Sequence, residues 1–144
     1  MTSITKINTS PPRWTYNQIR ESSERFLKEY HPQITTPIPL EEIIELKLKV
    51  KISTIPNLKK DFAIDGFINS NFNTITIDDE VFNNCEARAR FTIAHELGHG
   101  ILHKKIYNKF KFISLNEYIC SQNNIPQEDL YWLDIQANIL QLVF

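Results

Sequence analysis

The sequence predicts an α+β domain whose strands are confined to the middle of the chain. Three observations lead there. Apolar residues recur at helical spacing over residues 15–29, 85–102 and 126–140. Between residues 47 and 78 the period falls to two, as in half-buried strands. The length of 144 residues suits one domain, 1–144, with a core of its own.

The elements follow in order. Residues 1–13 read as an N-terminal arm ending in Pro11-Pro12. Tyr16, Ile19, Ser23, Phe26, Leu27 and Tyr30 then line one face of a helix. Pro32, Pro37 and Pro39 keep the connection extended, and Pro39 suits the first position of a short second helix with Leu40, Ile43 and Ile44 facing inward. Leu48, Val50 and Ile52 alternate with Lys47, Lys49 and Lys51, which reads as a strand. Residues 64–68 and 74–78 flank the Asn-rich link 69–73 and read as a β-hairpin. Asn83 and Asn84 are expected to cap a helix beginning near Cys85, with Ala87, Phe91, Ala94, Leu97, Ile101 and Leu102 on its apolar side. Ser114-Leu-Asn-Glu117 matches a capping box and starts another short helix. Pro126 opens the last helix, whose first turn carries Glu128 and Asp129. Leu130, Leu133, Ala137 and Leu140 form its apolar side.

Composition narrows the function classes. The net charge of −1 argues against non-specific nucleic-acid binding, which needs a basic surplus. Four lysines between Lys104 and Lys111 are interleaved with aromatics, but they read as a solvated loop. No run approaches the ~18 apolar residues of a membrane span, and the N-terminus lacks a signal-peptide core. Cys85 and Cys120 match no metal or redox spacing and read as reduced thiols of a cytoplasmic protein.

The chemistry is concentrated in Arg90-Phe-Thr-Ile-Ala-His95-Glu96-Leu-Gly-His99-Gly-Ile-Leu-His103. Residues four apart on a helix share a face, so His95 and His99 can aim two imidazoles at one divalent metal. Glu96 lies about 100° around the helix. It flanks the metal, where a general base for a bound water must sit. Gly98 and Gly100 also fall in this helix, each at a cost of about 1 kcal/mol relative to alanine. That cost predicts a strand or a substrate close against the helix backbone.

A catalytic zinc usually takes a third protein ligand. His103 is poorly placed, rotated roughly 80° from His95 and about 12 Å further along. The extended motif with a third histidine fails, because Leu102 and Lys105 occupy its glycine and histidine positions. Of the later acids, Glu117 serves a capping box, and Glu128 and Asp129 serve a helix N-terminus. Asp134 has no such task and borders the buried face of the last helix, which makes it the expected third ligand. Asn138, one turn on, is the expected acceptor for the outer N–H of His95 or His99.

On these residues the chain resembles the ImmA/IrrE-type zinc metallopeptidases. The resemblance runs over residues 36–140 and is carried by Pro39-Leu-Glu-Glu-Ile-Ile, Ile64-Asp-Gly-Phe-Ile, Arg90-Phe-Thr-Ile-Ala-His-Glu-Leu-Gly-His and Asp134-Ile-Gln-Ala-Asn. It implies a zincin-like α+β domain, gluzincin-like in its ligands, with a small three-stranded sheet against the active-site helix. It implies Zn2+ held by His95, His99 and an acid at Asp134, with Glu96 as base. Two departures stand out: Asp134 replaces the family's usual Glu, and the chain stops at Phe144, where members usually continue through an apolar segment and further helices. On this reading the C-terminal part of the family domain is missing.

The resemblance further implies a zinc endopeptidase that cleaves a transcriptional repressor, often encoded nearby, and so derepresses phage, mobile-element or stress genes. His103, Tyr107, Tyr118 and Tyr131 are the candidate transition-state donors, and residues 74–78 the expected sheet edge for an extended substrate. The competing reading is a non-catalytic, metal-stabilised protein-binding module, an anti-repressor or toxin–antitoxin component.

Overall fold

The computed structural model describes residues 11–33 and 35–144. Residues 1–10 of the expected arm lie outside the described residues.

Helix α1 (Tyr16–Tyr30) begins at a capping box: the Thr15 hydroxyl accepts the Gln18 amide at 3.2 Å, and the Gln18 side chain accepts the Thr15 amide at 2.9 Å. Ile19, Ser23, Phe26 and Leu27 are buried as expected, whereas Tyr16 is exposed. The second helix is a short α-turn, α2 (Leu40–Glu42), that widens into a π-turn at Ile43–Lys47. Leu40, Ile43 and Ile44 face the core.

Strand β1 (Lys51–Ile55) starts later than the alternation at residues 47–52 predicts. The amides of Leu48 and Val50 are taken by the carbonyls of Ile43 and Ile44, so these residues finish the helical turn. Lys49 adopts a left-handed φ of 59° to release the chain into the strand. A one-turn helix, α3 (Leu58–Phe62), leads to the hairpin of β2 (Gly66–Ile68) and β3 (Thr74–Asp78). Among the described residues these strands form one mixed sheet in the order β1-β3-β2, with β3 parallel to β1 and antiparallel to β2.

That order corrects the expected substrate edge. Strand β3 is central, with both of its edges paired, so residues 74–78 cannot receive an added strand. Among the described residues the unpaired edge on the hairpin side is β2. Asp65 and Asn69 bond β3, while the Ile68 amide turns outward. By antiparallel alternation the Gly66 backbone turns the same way.

Asn83 and Asn84 do not cap the motif helix. They belong to α4 (Asp79–Asn84), whose N-cap is Asp78. The buried Asp78 carboxylate accepts the Val81 amide at 3.1 Å and the Lys59 amide at 2.9 Å, tying two helices to the end of β3. The Lys59 amide leads in drawing its pKa below the usual carboxylate range, against the opposing effect of burial. Cys85 then holds the N-cap position of α5 (Glu86–Leu102). Its buried face is centred on Ala89, Ile93, Leu97 and Leu102, while Ala87 and Phe91 are exposed.

After α6 (Lys104–Tyr107), a short turn of helix where a loop was expected, come α7 (Leu115–Asn124) and α8 (Gln127–Val143). The Ser114–Glu117 capping box forms, the Glu117 amide donating to the Ser114 hydroxyl at 3.2 Å. Pro126 sits at the N-cap of α8, one position before the place its sequence role suggests. Helix α5 lies between the sheet and α8, and α1 packs over α8. The core joins Ile75 and Ile77 of β3 to Ile93, Leu97 and Leu133. No described helix is long and apolar enough to cross a membrane.

Candidate metal centre

The crossing of α5 and α8 creates the site. A Cβ on Gly98 would stand 3.2 Å from the Ala137 carbonyl oxygen and 3.3 Å from its Cα. A methyl group there would fit only if α8 gave way by a few tenths of an ångström. The neighbour that the helical glycine accommodates is therefore α8, where the sequence suggested a strand or a substrate. Gly100 faces the ends of Ile68 and Phe72 at ordinary contact distance, 3.4 Å. Asp134, nearly one turn before Ala137, is thereby held over His95 and His99.

The three side chains converge through single atoms. His95 Nε2 and His99 Nε2 are 3.1 Å apart, and Asp134 Oδ1 lies 3.3 Å from each. Ligand atoms about 2.0–2.1 Å from a tetrahedral zinc stand about 3.3–3.4 Å from one another. The triangle is close in size to one face of such a tetrahedron, and its three residues line a cleft. Among the described residues this is the group of His, Cys, Asp or Glu that could hold a metal ion.

The outer nitrogens of both histidines have partners. His95 Nδ1 donates to the Asn138 side-chain oxygen at 2.7 Å. His99 Nδ1 is 2.9 Å from His103 Nδ1, and His103 Nε2 is 2.8 Å from the Gln136 side-chain oxygen. Such partners take up the outer nitrogen of each ring, so that Nε2 is the atom that would bind a metal. Burial opposes a charge on His95, but its hydrogen bond to Asp134 and the nearby Glu96 carboxylate raise it to about 8. Asp134, although burial acts to raise its carboxyl, is held well below the usual range by the two imidazoles. Burial, with His99 beside it, depresses His103 to about 3 and keeps it neutral.

Glu96 is not one of the three converging residues, although it lines the same cleft. It is buried, and one of its oxygens accepts the outward Ile68 amide of β2 at 3.1 Å. Burial, ahead of the opposing imidazoles, raises its pKa. The motif residues open on a cleft of about 490 Å³.

Residues 47–140 match the IrrE N-terminal-like domain, a peptidase family. The chain belongs to that family. A search of curated proteins gives no match to it. Membership assigns the chain a metallopeptidase-type function, and the donor set His95, His99 and Asp134 suits the metal that such a function needs.

Within this IrrE-type domain the four candidate donors separate. Tyr107 and Tyr118 line the cleft. Burial raises the pKa of both phenols, so both remain protonated and able to donate. His103 and Tyr131 are placed elsewhere. His103 is buried behind His99 with its ring nitrogens engaged, and Tyr131 is 63% exposed outside the cleft lining. Two features escaped the sequence reading. Gln136 is as buried as His103, 1% exposed, yet drew no attention beside Asp134. Phe91, placed on the buried face of α5, instead lines the cleft. The four-residue step from His99 to His103 was the available signal for an outer partner.

Proposed function

We propose that the chain is a zinc-dependent endopeptidase of the cytoplasm whose substrate is a transcriptional repressor encoded nearby. The observation that carries the zinc reading is the triangle of His95 Nε2, His99 Nε2 and Asp134 Oδ1 with edges of 3.1, 3.3 and 3.3 Å. Zinc bound there would supply a Lewis acid that activates water and polarises a peptide carbonyl. Glu96, with its affinity for protons raised by burial, takes the proton from the attacking water and passes it to the leaving nitrogen. The Ile68 amide fixes one of its oxygens, leaving the other for this transfer. Tyr107 or Tyr118 donates to the developing oxyanion.

An extended substrate segment would pair with the free edge of β2 at Gly66, which lines the cleft. The exposed face of Phe91 offers an apolar wall for a substrate side chain. The repressor rests on the family resemblance, and the cytoplasm is in keeping with two free cysteines.

Co-expression with the product of the adjacent repressor gene tests both parts. Wild type should yield repressor fragments and Glu96→Gln none, although the variant still carries metal. A Glu96→Gln protein that relieves repression as wild type does would favour the protein-binding module instead.

A further inference from the structure

We propose that His103 and Gln136 are positioning residues that fix the proton of His99 on Nδ1, and that the N-terminal segment anchors them. The inference rests on the metal reading above for its purpose, but its chemistry can be followed without metal.

The chain of contacts has one proton arrangement that leaves His99 able to bind a metal through Nε2. Gln136 sends its amide N–H to the Pro12 carbonyl at 2.5 Å, which turns its oxygen toward His103. That oxygen can only accept, so His103 carries its proton on Nε2, 2.8 Å away. Neutral His103 is then an acceptor at Nδ1, and the nitrogen 2.9 Å from it, Nδ1 of His99, must donate. In the neutral ring of His99 the lone pair is then on Nε2, which faces His95 and Asp134. Reversing the Gln136 amide would break both of its bonds and push the protons the other way, closing Nε2 to a ligand role.

The setting holds this order in place. His103 and Gln136 are each 1% exposed, so water cannot substitute for a lost partner. Trp14 stacks on the His103 ring at 6.1 Å with planes 10° apart. Arg13 lies over the Trp132 ring at 4.2 Å, which holds the segment at residues 12–14 against α8. His95 needs no such relay, because the exposed-side Asn138 does the same task directly.

Substitution at His103 separates positioning from bulk structure. In His103→Asn the side-chain oxygen falls near the place of the imidazole Nδ1 and can accept from His99, as Asn138 does for His95. His103→Leu offers no acceptor. Long-range proton–nitrogen NMR of the metal-free protein should show His99 protonated at Nδ1 in wild type and His103→Asn. It should show a mixture of tautomers in His103→Leu and in Gln136→Met, with His95 unchanged throughout. Zinc or cobalt affinity should fall about 10–100-fold in the Leu and Met variants and stay within about 3-fold in His103→Asn. The proposal is overturned if the neutral His99 ring of the wild type carries its proton on Nε2. It is also overturned if Gln136→Met and His103→Leu keep the wild-type tautomer, or if affinity follows thermal stability and not the tautomer. A wild-type protein with the stated tautomers that takes up no metal would refute the metal reading and leave the relay standing.

Discussion

Adding one methyl group at Gly98 and, separately, at Gly100 tests how the site is built. In a helix interior the change from glycine to alanine is worth about 1 kcal/mol in intrinsic propensity. At Gly100 the new methyl would meet only the ends of Ile68 and Phe72, at 3.4 Å, and these side chains can give way. Gly100→Ala should therefore stabilise the protein by up to about 1 kcal/mol. At Gly98 the same methyl would meet three atoms of Ala137, at 3.2, 3.3 and 3.4 Å, and two of these are backbone. Crowding of that kind costs about 1–3 kcal/mol. The net effect of Gly98→Ala is a loss of about 0–2 kcal/mol, leaving the two variants about 1–3 kcal/mol apart. Chemical denaturation followed by circular dichroism resolves such a gap. Helix α8 carries Asp134, so zinc affinity should fall with Gly98→Ala and hold with Gly100→Ala. Equal stabilisation by both substitutions would show that α8 does not rest on Gly98, and the reasoning would fail.

Two further predictions concern the frame around the site. Asp78→Ala should cost about 1–2 kcal/mol, because it removes the cap of α4 and the acceptor of the part-buried Lys59 amide. The Asp78 carboxyl is lowered on folding, so its contribution is present above the ordinary carboxylate range of about 3.9 and is lost as pH falls through the folded value. Denaturation of wild type and variant should accordingly differ at pH 7 and converge toward pH 3; a gap independent of pH would refute the assignment. Gly66→Ala should destabilise by about 1–3 kcal/mol, since its Cβ would stand 2.8 Å from the Thr76 oxygen and 2.9 Å from Thr92 Cγ2. An unaltered melting temperature would show that β2 has room to move.

The sequence made the α+β class and the converging residues legible because both rest on local period. The His95–His99 step lies on one helix, and the Asp134–Asn138 step on another, so each pair is readable from a four-residue spacing alone. The hairpin also showed, through two alternating runs around an Asn-rich link. What local period cannot show is pairing order. Nothing in residues 74–78 distinguishes a central strand from an edge, and β3 took the centre because β1 pairs with it in parallel from 23 residues away. Helix α4 was missed because the short run 79–84 has two apolar residues and no full period. The alternation at residues 47–52 misled for a related reason: a π-turn claims the amides of Leu48 and Val50 while leaving their side chains at the same spacing. The relay through Gln136 to Pro12 spans 124 residues, and no window along the chain contains it.

The most direct test of the zinc centre is metal content, measured on purified wild type beside Asp134→Ala. The account predicts about one zinc per chain in wild type and a sharp loss in the variant. Full zinc in Asp134→Ala would contradict the two-histidine, one-acid centre, and a wild type that takes up none when zinc is supplied would contradict the peptidase mechanism built on it.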